Sequence, residues 1–354
     1  MKAWRFAEFG GAEKLELQEI DSMEPGSGEV SVKVAYAGVN HVDRLVIGGR
    51  LRWIDMPHIP GAEYVGTVLD VGKDVKGIDS GDRVAIHPKI FCGECRYCRS
   101  GEEGVCLMSW NPSQAPVDLS TYMLPAARNG GWAEEALIYA RNIVKLPDSI
   151  HFKDAASLPL SAMTANHMIR RVSPKSGEEA LVMGAAGSVG IYAMQLLRER
   201  GCAVTAVVRH EPQARVIEKY CDSVILFQEA FKSIAEKSRS GKGFDIVIDP
   251  LGQATFDFSS SALSPCGRYV TCGTLTGASA TLDLMALYSR ERSFIGSTTG
   301  SPQDLKEVIQ LMDEGRIEAI PSTVFEFKQA REAIAELQRA GRIGKVLLRV
   351  NASS

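Results

Sequence analysis

The stretch Ala180 to Gly201, ALVMGAAGSVGIYAMQLLRERG, decides how this chain folds. A short apolar run, Ala180 to Met183, stops at Gly184, and two further glycines follow at Gly187 and Gly190. Apolar residues then recur at Val189, Ala193, Leu196 and Leu197, which is helical spacing. The pattern is strand, tight turn, helix. Such a turn brings backbone N–H groups and the positive end of a helix against a phosphate. Read as G-x-G-x-x-G, the first position holds Ala185, with Gly184 just ahead of it. The candidate dinucleotide cradle is therefore Gly184, Ala185, Ala186, Gly187, Ser188, Val189 and Gly190. A βα turn without a ligand is the plainer alternative.

The flanking sequence favours the ligand. Ala203 to Val208 is a second apolar run at the distance of the next parallel strand, and Phe244 to Asp249 and Arg268 to Cys272 supply further strands between helical stretches. Alternating strand and helix predicts a doubly wound parallel sheet. Towards the N-terminus the pattern changes. Val30 to Val34 alternates as VSVKV, and Val65 to Val71 and Arg83 to Ile86 are similar short runs punctuated by Gly72, Gly77 and Gly81. Strands of this kind predict a small, partly open β-barrel. Residues 107–129 lack periodicity and read as a long surface loop, while Trp132 to Leu146 returns to strand character. Ala155 to Ile169 reads as an apolar helix bridging two domains, and residues 302–315 and 328–341 as amphipathic helices. Lys345 to Val350 is a final strand positioned to rejoin the first domain.

A length of 354 residues suggests about two domains. The net charge of −3 carries no basic field of the sort that draws nucleic acid or a membrane surface. No apolar run approaches the roughly 18–20 residues that span a bilayer, and MKAWRFAEFGG has no signal-peptide h-region, so the expected location is cytoplasmic. Of eight cysteines, four lie close together: Cys92, Cys95, Cys98 and Cys106, spaced C-x₂-C-x₂-C-x₇-C. Four thiolates on one short lobe close a tetrahedron around a Zn²⁺ ion and leave no open position, which makes the zinc structural. A C-x-x-C redox pair is the rival, but it has no use for two more cysteines at this spacing.

Taken together these motifs resemble the medium-chain dehydrogenase/reductase superfamily of zinc alcohol dehydrogenases and quinone oxidoreductases. The resemblance rests on AGVNHVD (Ala37 to Asp43), PGAEYVGTV (Pro60 to Val68), GDRVA (Gly81 to Ala85), the cysteine lobe, GAAGSVG (Gly184 to Gly190), DIVIDPLG (Asp245 to Gly252) and GKVLL (Gly344 to Leu348). It implies an α/β protein with a GroES-like β-barrel catalytic domain over 1–155, carrying the zinc lobe at 92–106. A Rossmann domain follows over 156–292, and 293–354 supplies the last Rossmann strand and the return to the catalytic domain. It also implies an active site between the domains and a homodimer or homotetramer paired through Ser293 to Thr299.

The departures from the family pattern restrict the chemistry. The three catalytic-zinc ligands of the alcohol dehydrogenases should fall at Asn40, Ala62 and near Leu160, and none of these side chains ligates zinc readily. The relay hydroxyl should fall at Val42, which has none. Asn40, His41, Asp43 and Glu63 remain as the polar candidates for catalysis, with a polar network under the cleft as the alternative role for Asp43 and Glu63. Asn40 offers an amide donor to a developing oxyanion, or else satisfies barrel backbone; His41 lies, by resemblance, near the cofactor pyrophosphate. Resemblance alone also assigns Thr164 to the nicotinamide and Lys345 to a phosphate. About 20 residues past the glycine turn an NAD enzyme carries an acidic residue. Here Val207 and Val208 are followed by Arg209 and His210, with Arg215 beyond, which favours the 2′-phosphate of NADPH over NADH. Arg44, Arg50 and Arg52 form a basic cluster that is either a solvated face or a seat for an anionic substrate tail.

The expected activity is NADPH-dependent hydride transfer to an activated C=C (an enone or enoyl thioester) or a quinone. It needs one structural zinc, no catalytic zinc and a small-molecule substrate, with no nucleic acid or membrane as partner. A zinc alcohol dehydrogenase with unusual ligands and a non-catalytic nucleotide-binding protein are the competing readings.

Overall fold

The computed structural model describes residues 1–50, 54–107, 123–125, 128–229 and 234–351. Arg52 and most of the 107–129 loop lie outside the described residues. The strands, in chain order, are β1 (Lys2–Arg5), β2 (Glu16–Glu19), β3 (Glu29–Val39), β4 (Tyr64–Val71), β5 (Arg83–Ile86), β6 (Glu135–Tyr139), β7 (Ile143–Lys145), β8 (Glu179–Val182), β9 (Ala203–Val208), β10 (Ser223–Leu226), β11 (Phe244–Ile248), β12 (Leu263–Thr271), β13 (Ser293–Gly296), β14 (Ser322–Glu326) and β15 (Lys345–Arg349).

Among the described residues β10-β9-β8-β11-β12-β13 form one six-stranded sheet, every pair parallel. The order reverses between β8 and β11. In such sheets ligands bind beyond the carboxyl ends of the strands at this switch point, which is where the turn after β8 lies. The second sheet runs β14-β15-β3-β4-β5-β7, with β6 also on β3. Its central pairings are antiparallel, as a barrel built from hairpins requires. The last strand does rejoin the first domain: β15 pairs with the end of β3, Val346 opposite Val39.

Apolar cores pack against the two sheets. Trp4, Phe6, Tyr64 and Trp132 fill the barrel. A second core, with Ile191, Leu196, Leu197, Val204 and Ile248, packs on the parallel sheet and is continuous with barrel residues such as Val65 and Leu347. A third groups Leu181, Val207 and Val247 of the parallel strands. Burial of this apolar surface is the main stabilising term for both sheets. No helix among the described residues is long and apolar enough to cross a membrane.

The helix expected over Ala155 to Ile169 is broken. A short turn, Phe152–Ala155, is followed by a wide π turn, Leu158–Ala162, and then by the helix Met163–Val172. Pro159 cannot donate to the ladder, so the register slips there. The helix expected over 328–341 is limited to Ala330–Glu336. Beyond it Gly341 and Gly344 both adopt positive φ, turning the chain towards β8.

Candidate functional site

A crevice of about 1320 Å³ separates the two sheets. One wall is the turn after β8. Gly184 has φ +58°, and a Cβ on Gly190 would stand 2.6 Å from Gly184 O and 2.8 Å from Ala185 Cα. The helix Ser188–Glu199 therefore presses its first turn against the strand end, with N–H groups facing the opening. The barrel is stitched to this turn: Gly344 N donates to Ala186 O at 2.8 Å, and Gly187 and Gly344 form an isolated parallel bridge. Of the predicted cofactor residues, Thr164, Gly184, Ala186, Gly187, Ser188, Val189, Gly190, Arg209 and His210 line the crevice.

Below the crevice lies a buried polar cluster. Asn40 follows β3 and is the N-cap of the helix His41–Ile47. Its Nδ2 donates to Glu63 Oε1 at 3.0 Å, and its Oδ1 accepts from Lys345 Nζ at 2.7 Å. Lys345 also forms an ion pair with Glu63 and donates to Ser161 Oγ at 3.3 Å; Ser161 in turn donates to Ser188 Oγ at 2.9 Å. The other Glu63 oxygen accepts from Leu160 N at 2.8 Å. That N–H is an orphan donor of the first turn after Ser157, and the carboxylate satisfies it. Glu63 is 0% and Lys345 2% exposed, so neither charge is screened by water. Gly38 makes room for Glu63, because a Cβ there would stand 2.5 Å from Glu63 Cγ.

Asp43 is also fully buried, and its oxygens are spent on backbone N–H groups, from Asn40 and Ala62 at 2.8 Å and Gly61 at 3.1 Å. Burial, with the like charge of Glu63 adding, pushes its carboxyl up to about 7 against the pull of those N–H groups. His41 lines the crevice with a buried Nδ1 that has no hydrogen-bond partner. Burial, reinforced by Arg342, Arg44 and Lys345, lowers its pKa to about 4, so the ring is neutral at pH 7.

In the cysteine lobe the four sulfurs lie within 4.8 Å of one another. Cys92 Sγ is 3.5 Å from Cys106 Sγ and 3.9 Å from Cys98 Sγ; Cys95 Sγ is 3.6 Å from Cys98 Sγ. Tetrahedral bonds of roughly 2.3 Å to zinc set the sulfurs about 3.8 Å apart. Backbone N–H groups of Cys95 and Cys92 point at Cys92 Sγ and Cys106 Sγ, both at 3.3 Å, as donors to thiolates do.

Residues 26–148 match the family described as alcohol dehydrogenase GroES-like domain, and residues 188–314 match zinc-binding dehydrogenase. The chain is 30% identical over 340 residues to acryloyl-coenzyme A reductase of Metallosphaera sedula, covering 96% of this chain and 97% of that protein. It is 28% identical over 361 residues to an NAD-dependent alcohol dehydrogenase of Sulfolobus acidocaldarius, covering 99% and 100%. A cobalt- and zinc-bound thermostable alcohol dehydrogenase from Pyrobaculum aerophilum superposes with a TM-score of 0.87 at 36% identity, covering 99% of each chain. The chain belongs to the medium-chain dehydrogenase/reductase superfamily.

As a member of that superfamily it is an oxidoreductase that uses a nicotinamide cofactor. The glycine cradle and the orphaned His41 nitrogen fit a dinucleotide, and the four cysteines fit a structural zinc. A catalytic zinc does not fit. At its expected positions stand an amide already held from both sides, a methyl (Ala62) and an isobutyl group (Leu160), with the Lys345 ammonium beside them. Asp43, His41 and Glu63 do not converge either: the cysteine lobe is the sole metal-competent group among the described residues.

Several site expectations need correcting. Lys345 does not present its ammonium to the crevice as a phosphate ligand; its three N–H donors go to Asn40, Glu63 and Ser161. Arg215 points into solvent beside Glu211, one helical turn away, and is not brought to the site. Asp43 and Glu63 lie beneath the crevice as supports, out of reach of a substrate. Sequence reasoning missed Ser161, which links Lys345 to Ser188, and Arg342, which lines the crevice. The one available signal was the basic run Arg339 to Lys345, placed just before the final strand.

Proposed function

We propose that the protein is an NADPH-dependent reductase adding hydride to a C=C conjugated to a carbonyl, as in an enone or enoyl thioester, or to a quinone, without a catalytic metal. The observation that carries this is the floor of the crevice, where an oriented amide and an ammonium replace metal ligands. Oxidising a simple alcohol requires removal of its O–H proton, which zinc assists by acidifying the bound oxygen. An activated alkene needs a hydrogen-bond donor for the oxygen that becomes negative, and Asn40 is such a donor. The bound nicotinamide supplies the hydride. The chain holds the carbonyl oxygen at Asn40 Nδ2, and the final proton comes from water.

Arg209 at the end of β9, with no carboxylate among the described crevice-lining residues, supports the 2′-phosphate-bearing cofactor. The same crevice carries Arg44 and Arg50 on its barrel side, which suits a substrate with a phosphorylated tail. Two relatives are acryloyl-coenzyme A reductases, whose named substrate has both an activated alkene and such a tail. A homodimer, through pairing of edge strand β13 with its counterpart in a second copy, would also cover exposed Leu284, Met285 and Tyr288. No disulfide joins any of the eight cysteines, all of them described, which fits the cytoplasm.

The test follows NADPH consumption by the purified protein against an enone, an enoyl-coenzyme A, a quinone and a simple aldehyde, with zinc counted per chain. Turnover of the first three with one zinc is expected. Turnover of the aldehyde with two metal equivalents would instead make it a zinc alcohol dehydrogenase.

A further inference from the structure

The Asn40 amide lies between groups of opposite hydrogen-bonding character. An ammonium has only donors and a carboxylate only acceptors. Lys345 therefore requires the amide oxygen to face it, and Glu63 requires the amide nitrogen. The structure meets both conditions, Nζ to Oδ1 at 2.7 Å and Nδ2 to Oε1 at 3.0 Å. The amide cannot flip without setting donor against donor and acceptor against acceptor. One Nδ2–H serves Glu63; no described residue engages the second, and Asn40 lines the crevice. A cation on the amide oxygen also draws electron density from the nitrogen and strengthens that free N–H as a donor.

We propose that Lys345 is a positioning residue that acts through Asn40: it locks and polarises the amide so that Nδ2–H receives the negative charge developing on the substrate carbonyl oxygen. This rests on the reductase reading above. Hydride adds to the β-carbon, and the C=C electrons move to make a Cα=C–O⁻ enolate held by Asn40. Water then protonates the α-carbon as the carbonyl re-forms. No proton leaves Lys345 or Asn40. The fixed ammonium, paired with Glu63 and 2% exposed, thus supplies from behind the amide the electrostatic help that a metal gives directly.

The experiment is a double-mutant cycle with Asn40→Ala, Lys345→Met and the double variant, reading kcat for enone or enoyl-thioester reduction and, separately, NADPH Kd by fluorescence. Asn40→Ala should lower kcat about 10²–10³-fold, as loss of one oxyanion donor does. Lys345→Met should lower it at least about tenfold, and the double variant should fall no further than Asn40→Ala, within about threefold. NADPH Kd should stay within about threefold throughout. Additive losses overturn the proposal. So does a tenfold or greater rise in NADPH Kd with kcat kept, which would make Lys345 a phosphate ligand. Lys345→Met/Glu63→Gln, which removes both buried charges, replaces Lys345→Met in the cycle if the single variant does not fold.

A second readout needs no turnover. 4-Nitrophenol bound beside NADP⁺ reports, by its visible absorbance, how well the site holds an oxyanion. Its apparent pKa should fall by about one unit or more in wild type and lose that shift in both single variants. Equal ionisation in all three proteins overturns the proposal. A shift that depends on Lys345, in an enzyme inert to every activated alkene and quinone, would sink the substrate reading and leave the positioning role standing.

Discussion

Asn40 Oδ1 and Lys345 Nζ meet at 2.7 Å although 305 positions separate them in the chain. The contact closes the site from both ends of the sequence. Asn40 directly follows β3, and Lys345 begins β15, which pairs antiparallel with that strand. One residue earlier, Gly344 N is bonded to Ala186 O in the glycine turn. The glycine turn, the ammonium and the amide donor are thereby fixed to one another by the β3–β15 pairing and a backbone hydrogen bond. A donor must be held within about half an ångström of its working position, and rigid elements do that better than loops.

Arg209 is the side chain that should set cofactor choice. It stands at the end of β9 where an NAD enzyme has a carboxylate. Arg209→Glu should reverse the preference, lowering kcat/KM with NADPH by about 10²-fold while NADH is retained or improved. Initial rates with both cofactors on one substrate decide it. An unchanged ratio would leave the 2′-phosphate without a partner.

Arg44 and Arg50 should matter only when the substrate has an anionic tail. Replacing both by Ala should raise KM for an enoyl-coenzyme A thioester about tenfold. The same enoyl group on a small neutral thiol should be unaffected, because the reacting atoms lie elsewhere. Added salt should narrow the wild-type advantage for the charged substrate. Equal KM changes for the two thioesters would return the arginines to a solvated face.

The cysteine lobe can be tested through its metal. Cys98→Ser removes one of four mutually close sulfurs. Zinc should fall from one per chain to near zero, and Tm should drop by about 5–10 °C, since binding energy at a structural site is folding energy. Elemental analysis and a melting curve on one preparation suffice. Retention of a full zinc equivalent would place the metal somewhere other than this lobe.

Much of this fold was legible from periodicity. β9 spans the same residues as the apolar run Ala203 to Val208, and β5 the run Arg83 to Ile86. The cysteine spacing announced its own tetrahedron, because a short loop leaves little freedom for the four sulfurs. The misses have a common cause. Pro159 broke an apolar stretch whose spacing alone looked continuous. Lys345 is assigned to a phosphate by family resemblance alone, which carries no information on what its side chain meets in this chain. Its side chain is claimed instead by Glu63 and Asn40, residues brought to it only when β15 pairs with β3. Spacing along one segment reports local structure; partners across domains depend on the assembled sheet.

Asp43 and His41 should tilt stability against pH in opposite directions. Asp43 is held protonated up to about 7 by burial, against an ordinary value near 3.8. Between those values the folded chain carries the extra proton, so this group makes stability fall as pH rises from about 4 to 7. His41 has its pKa lowered by burial from 6.5 to about 4. In that window the unfolded chain takes up the proton, so this group makes stability fall as pH drops. His41→Gln should therefore melt higher relative to wild type at pH 5 than at pH 8. For Asp43→Asn the difference from wild type should be more unfavourable at pH 5 than at pH 8. Thermal melts at both pH values check the signs, and variants that run parallel to wild type would contradict them.

Gly38 gives the sharpest test of the buried cluster, because it is not among the described residues that line the crevice. A Cβ at this position would stand 2.5 Å from Glu63 Cγ and 2.6 Å from Cδ. Glu63 cannot swing away freely, being held by Asn40, Leu160 and Lys345. Gly38→Ala should therefore cost about 1–3 kcal/mol, the usual range for overpacking a filled interior. It should also lower kcat more than it changes NADPH Kd, since the displaced carboxylate no longer fixes the Asn40 nitrogen. Adding Glu63→Ala to Gly38→Ala clears the collision but strands the Lys345 ammonium, so stability should not recover. Gly38→Ala with Glu63→Gln keeps most of the bulk and should be no better than Gly38→Ala alone. Denaturant melts of the three variants separate steric strain at Gly38 from loss of the charge pair. A Gly38→Ala protein with wild-type stability and kcat would show that Glu63 has room to move, and that the amide it holds is not fixed by it.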